Sequence, residues 1–286
     1  MQHTANPRSL NSPQKPSETD ANNAHPSDAH TSDAHPSLSA SPPEPKQPEP
    51  KQSVLKHPGI KSYVRRTGRL THAQREALDA LWPRYGIDAA HVAQGLSDWW
   101  QSPVPLTVEI GFGDGDCLST LAARHPERHY VGFEVHDPGV GHALLMAKRL
   151  GLNNLRLLHA DAQAILTECF PAQCLDEVLI YFPDPWHKKR HHKRRLVQPE
   201  FVRLLAKLCK PNAYVRLATD WAPYAEWMLS VFSGALAFDN IASPGPFTPR
   251  PPERPQTKFE RRGLRLGQSA WDLCFRRNQL PWDADA

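Results

Sequence analysis

The sequence predicts an α/β fold, a doubly wound sheet that is mostly parallel with an antiparallel strand near the C-terminus. Three observations lead there. Apolar strand-like runs alternate with helical patterns from Leu106 onward, a glycine-rich turn follows the first run, and acids stand at the ends of later runs.

The runs are Leu106 to Gly111, His129 to Val135, Leu155 to His159, Leu175 to Phe182 and Ala213 to Ala218. Helices are expected to start between and after them, near Gly115, Gly139, Ala162, Pro199 and Ala222. A helix between two strands returns the chain to the same edge, so the strands pair in parallel. After Pro199, Phe201, Leu204, Leu205 and Leu208 recur at three- and four-residue intervals and form a core face. Before the first strand, Thr71-His72-Ala73-Gln74 has the form of a capping box, and Pro83 is expected to end that helix near Trp82. Pro244 to Pro255 reads as a stiff loop, and Ala270 to Phe275 as an antiparallel strand that closes the sheet.

The 286 residues divide into a disordered tail, 1–56, and one folded domain, 57–286. The tail lacks Phe, Trp and Tyr, and its bulky apolar residues are limited to Leu10, Leu38, Val54 and Leu55. Such a segment buries too little surface to offset its chain entropy. Its short repeat close to Asp-Ala-His-x-Ser, between His25 and Ser37, reads as solvated low-complexity sequence rather than a metal site. No hydrophobic stretch approaches the roughly 20 residues that span a bilayer, and no signal or transit peptide is recognisable, so a cytoplasmic protein is expected. Five cysteines without a Cys-x-x-Cys pair read as reduced thiols, and no metal is expected. A monomer is expected, with a dimer as the alternative.

The net charge of +4 only permits a nucleic-acid partner, but its distribution is more telling. Lys188, Lys189, Arg190, Lys193, Arg194 and Arg195 crowd one stretch with His187, His191 and His192. A second basic arm runs through Lys61, Arg65, Arg66 and Arg69. Around Tyr63 that arm reads as reaching nucleic acid, as covering a bound cofactor, or as a solvated lead-in to the first helix.

The turn Val108-Glu109-Ile110-Gly111-Phe112-Gly113-Asp114-Gly115 sits where backbone closely approaches a nucleotide-like ligand. A dinucleotide would place its pyrophosphate at the following helix N-terminus, where Glu109, Asp114 and Asp116 repel it. The third glycine of a dinucleotide fingerprint is also replaced, by Asp116. S-adenosylmethionine carries a sulfonium and an ammonium and no phosphate, so an acidic glycine turn suits it. Glu134, about twenty residues on, is placed to accept ribose hydroxyls, and Asp161 to flank the adenine. Either acid has an alternative reading as an ordinary strand-end or N-cap residue.

Tyr181-Phe182-Pro183-Asp184-Pro185-Trp186 follows the fourth strand and leads directly into the basic stretch. Two prolines around one acid specify a rigid loop. Aromatic residues, a carboxylate and cations in that order offer a stacking surface, a partner for a base edge, and phosphate contacts.

Together, Gly111-Phe112-Gly113-Asp114-Gly115, Phe182-Pro183-Asp184-Pro185-Trp186, Ala218-Thr219-Asp220-Trp221 and Thr257-Lys258-Phe259-Glu260 resemble the bacterial tRNA (guanine-N7-)-methyltransferase family. The resemblance covers about Lys56 to Trp282 and implies a Rossmann-like class I methyltransferase fold. By similarity Glu109, Glu134, Asp161 and Asp184 contact S-adenosylmethionine, with Gly111, Gly113 and Gly115 in its turn and Asp184 as the active-site acid. Lys188, Arg190, His191, His192, Lys193, Arg194, Arg195, Asp220, Thr257, Lys258, Phe259 and Glu260 are implied to contact tRNA. The implied product is 7-methylguanosine at position 46 in the variable loop. Rival readings are a methyltransferase acting on another RNA, a small molecule or a protein, a non-catalytic RNA-binding protein on this fold, and a nicotinamide dehydrogenase.

Overall fold

In the computed structural model, residues 60–64, 68–265 and 269–283 are described. The tail of residues 1–56, Arg65 and Arg66 lie outside them, as do the side chains of Lys258 and Phe259.

Seven strands form one sheet in the order β3-β2-β1-β4-β5-β7-β6. They are β1 (Leu106–Ile110), β2 (His129–Glu134), β3 (Leu155–His159), β4 (Leu175–Tyr181), β5 (Cys209–Thr219), β6 (Phe238–Asn240) and β7 (Trp271–Arg277). The first five pair in parallel, and β7 runs antiparallel to both of its neighbours. The expected closing strand is therefore present but is not the edge. Phe238–Asn240 pairs outside it, and three residues are too short a run to stand out in the sequence.

Helices α1 (His72–Tyr85), α2 (Val92–Gln101), α3 (Asp116–Arg124), α4 (Asp137–Arg149), α5 (Ala162–Cys169), α6 (Pro199–Leu208), α7 (Ala222–Ser233) and α8 (Lys258–Arg265) complete the fold. Two buried clusters show that both faces of the sheet are covered. Tyr130, Leu155, Leu157, Leu179 and Tyr181 point toward α1, α3 and α4. Val108, Val131, Phe133, Val178, Ile180 and Val215 point toward α2, α5, α6 and α7. The period-two alternation of each strand thus feeds two cores.

Thr71 and Gln74 form the expected capping box, Gln74 N–H donating to Thr71 Oγ1 at 3.2 Å and Thr71 N–H to Gln74 Oε1 at 2.9 Å. The expected stop at Trp82 is corrected: α1 continues through Pro83 to Tyr85. A proline in the last turn costs one intrahelical bond, and Tyr85 offsets it by burial beneath α4, its hydroxyl donating to Ala147 O at 3.3 Å. The cysteines remain free thiols, all buried except the half-buried Cys169.

Strand order reverses between β1 and β4, and in open α/β sheets the crevice at such a switch point, beyond the carboxyl ends, is where ligands bind.

Candidate active site

A cavity of about 340 Å³ occupies that crevice. Gly111 and Gly113 from the turn after β1, Glu134 at the end of β2, Asp161 at the start of α5 and Asp184 after β4 all line it. A recess of about 40 Å³ adjoins it, shares Gly111, Gly113 and Phe182, and is lined further by Glu109, Asp114 and Thr257.

The turn has the backbone that glycine permits. Gly111 adopts φ 75° and a Cβ there would meet nothing within 4 Å, so its open side is the cavity itself. Gly115 caps α3 at φ 78°, and a Cβ there would come within 2.5 Å of the Ala143 side chain. Gly115 therefore lets α3 close onto α4 and does not line either cavity.

Glu134 is held from three sides. Gly113 N–H donates to Oε2 at 2.8 Å, while Val135 and His136 N–H donate to Oε1 at 2.7 and 3.0 Å. Burial nevertheless holds its pKa above the usual carboxylate range, against those three bonds. Asp161 meets both readings, since it accepts the Gln163 N–H at 3.1 Å as an N-cap and also faces the cavity.

Glu109 lies inside the sheet, 2 % exposed, with Oε2 accepting no hydrogen bond. Burial, then the charges of Asp114 and Glu134, push its pKa up to about 8. A buried carboxyl held in this way ionises more readily beside a cation, so the recess suits a positively charged ligand. Among the described residues lining the larger cavity there is no lysine or arginine to bind a phosphate. Shape and charge together fit S-adenosylmethionine and disfavour a dinucleotide.

The Asp184 loop is strained at both ends. Phe182 and Trp186 have φ 54° and 48°, unusual for bulky residues, on either side of Pro183-Asp184-Pro185. Phe182 N–H donates to Ala218 O at 2.8 Å, Arg195 Nε donates to Pro185 O at 3.0 Å and Trp186 Nε1 donates to Ser62 O at 2.9 Å. These bonds hold Asp184 exposed on the cavity rim. Asp220 directly follows the adjacent strand, half-buried, and its neighbour Trp221 is exposed and packs nearly perpendicular to the His187 ring, centroids 4.3 Å apart.

The basic stretch separates into two sets. Lys188, Lys189, Arg190 and Lys193 are exposed, with residues 189–194 wound into a 3-10 helix that no spacing in the sequence signals. His191 and His192 are half-buried, and partial burial and the neighbouring cations lower the pKa of His191, so its ring adds little positive charge at neutral pH. Arg195 is 3 % exposed and packs over Tyr224, its donors turned inward to Pro185 and His192. Arg194 is also turned inward, onto the carbonyls of Lys61 and Tyr63.

Thr257 Oγ1 accepts the Glu260 N–H at 3.1 Å and faces the recess beside Glu109. Glu260, expected at the tRNA, is 4 % exposed and its partners are internal. Its carboxylate accepts Arg254 Nη1 and Nη2 at 2.9 Å each and Arg250 Nε at 2.8 Å. Arg254 also reaches Asp272 on β7, Nη2 donating to Oδ2 at 3.1 Å with Nε 2.9 Å from Oδ1. The guanidinium lies 5.5 Å from the Tyr181 ring centroid, so one cation fastens α8, β7 and the end of β4. Sequence reasoning misses Arg254, which sits in a proline-rich loop without a motif. It also misses Phe133, His136, Gln163 and Leu196 of the cavity wall, positions carrying no motif of their own.

A doubly wound sheet with this acid-lined crevice defines a class I S-adenosylmethionine-dependent methyltransferase. Residues 103–273 match a family model described as "Putative methyltransferase". The tRNA (guanine-N(7)-)-methyltransferase of Halorhodospira halophila is 50 % identical over 219 residues, 76 % of this chain and 94 % of that protein. The protein of the same name from Idiomarina loihiensis is 47 % identical over 220 residues, 77 % of this chain and 90 % of that one. The chain belongs to the tRNA (guanine-N7-)-methyltransferase family. Among solved structures, the 16S rRNA methyltransferase KamB aligns with a TM-score of 0.48 at 17 % identity, over 65 % of this chain and 93 % of that one.

Proposed function

We propose that this chain methylates N7 of the guanosine at position 46 in the variable loop of tRNA, giving 7-methylguanosine. One observation carries the reading: the loop bearing Asp184 borders the donor cavity on one side and opens into exposed Lys188, Lys189, Arg190 and Lys193 on the other. An RNA held on those cations presents a base to the cavity rim. The names of the relatives support tRNA as that RNA.

Bound S-adenosylmethionine supplies an electrophilic methyl group, which the N7 lone pair takes as the carbon–sulfur bond breaks, so positive charge passes to guanine and no proton leaves. Asp184 and Asp220 therefore serve as fixed anions rather than bases, accepting hydrogen bonds from the Watson–Crick edge and stabilising the charge that grows on the base. Trp221 offers a stacking face beside them. Glu134 and Asp161 hold the donor's ribose and adenine end, and Glu109 answers its positive charge. Lys188, Arg190 and Lys193 hold phosphates, with His191, His192, Thr257, Lys258 and Phe259 as neighbours of the RNA. The domain of residues 57–286 works as a cytoplasmic monomer without a metal, and the tail of residues 1–56 is dispensable for methylation.

Incubation with labelled methyl donor and unmodified tRNA, followed by mapping of the product, tests this directly. Label at any base other than the variable-loop guanosine, or none, would overturn it. Asp184→Ala should lower the single-turnover rate on bound tRNA about a hundredfold.

A further inference from the structure

We infer that Arg194 and Trp186 are positioning residues for the methyl donor, holding residues 61–63 as a strap across the donor cavity. Ser62, Tyr63 and Val64 form part of the cavity wall although they precede the sheet by some forty positions. They are held there from the far side. Trp186 Nε1 donates to Ser62 O at 2.9 Å, Arg194 Nε to Lys61 O at 3.1 Å, and Arg194 Nη2 to Tyr63 O at 3.2 Å. The Arg194 guanidinium carbon lies 4.0 Å from the Trp186 ring centroid, so each side chain fixes the other.

All three acceptors are backbone carbonyls, so the strap makes these bonds whatever its side chains. Residue type matters at 186 and 194. A fork of N–H groups spans two carbonyls at once, which a lysine ammonium on a flexible stem does not reproduce. The same short 3-10 helix carries exposed Arg190 and Lys193, so closure of the donor cavity and docking of RNA act through one element. By linkage, whatever RNA does to donor affinity, the donor does equally to RNA affinity.

The inference rests on the cavity being the donor site. The test measures S-adenosylmethionine binding calorimetrically to the full chain without tRNA, in wild type, Arg194→Lys, Arg194→Gln and Trp186→Phe. Hydrogen exchange across residues 60–64 and the salt dependence of tRNA binding are followed alongside. Loss of the fork should weaken donor binding about tenfold in both Arg194 variants, and loss of the indole donor about threefold in Trp186→Phe. Exchange should quicken in all three, while Arg194→Gln keeps the wild-type salt slope. Wild-type donor affinity in the Arg194 variants, or a flattened salt slope in Arg194→Gln that Arg194→Lys restores, would overturn the strap and return Arg194 to the phosphates. Failure of the wild type to bind the donor would instead overturn the reading of the cavity.

Discussion

Gly113 N–H donates to Glu134 Oε2 over 2.8 Å, joining the glycine turn after β1 to the end of β2. The carboxylate that lines the cavity also shapes the turn beside it. Glu134→Gln replaces one acceptor oxygen by an NH₂ group, which opposes a backbone N–H whichever way the amide is turned. Donor affinity should fall about tenfold to a hundredfold, measured by calorimetry, with little change in tRNA affinity. An equal loss for both ligands would mean general unfolding of the site.

With its pKa pushed up to about 8, the Glu109 carboxyl should make donor binding pH-dependent under the proposed role. A cationic donor favours the carboxylate, so binding releases a proton below that value, and affinity should rise with pH until about 8 and then level off. Glu109→Gln should abolish the rise. The free protein should show the opposite trend. A folded pKa above the ordinary 4.5 contributes stability that is complete below that value and is lost as pH rises through 8. Thermal unfolding across this window, with and without donor, should therefore show donor stabilisation growing with pH.

Charge removal from the exposed set should act through counterion release. Arg190→Gln with Lys193→Gln should flatten the plot of log tRNA affinity against log salt by about 0.7 to 0.9 for each phosphate no longer neutralised. Arg195→Gln should leave that slope unchanged and instead lower the methylation rate, because Arg195 holds Pro185 beside Asp184. A flattened slope in Arg195→Gln would place it at the interface after all.

Arg254→Met should destabilise the fold by about 3–5 kcal/mol in urea denaturation, since Asp272 would remain buried without its cation and Glu260 would keep only Arg250. Burial already raises the pKa of Asp272 against the pull of Arg254. Without Arg254 the Asp272 carboxyl should take up a proton more readily, so the variant should lose less stability relative to wild type at pH 5 than at pH 8.

Local chemistry is legible. The capping box of Thr71 and Gln74 needs only three residues of spacing, and the helix starts at Ala162, Pro199 and Ala222 stand where composition places them. The glycine turn can be read because its φ values restrict residue type at single positions. By contrast, α2, β6 and α8 escape notice: α2 has few caps, β6 is three residues long, and α8 begins inside what looks like a recognition motif. Pro83 misleads because propensity alone does not register the burial of Tyr85.

The sequence by itself determined the strand–helix alternation, the acidic glycine turn and the family motifs, because each depends on residues a few positions apart or on residue type alone. Only the tertiary structure decided which of the many cations and acids face outward. Arg190 and Arg194 are four residues apart and chemically identical, yet Arg194 finds its carbonyl acceptor on Lys61, 133 positions away. A side chain's direction is set by the nearest partner in space, and the distance between partners along the chain carries no trace of it.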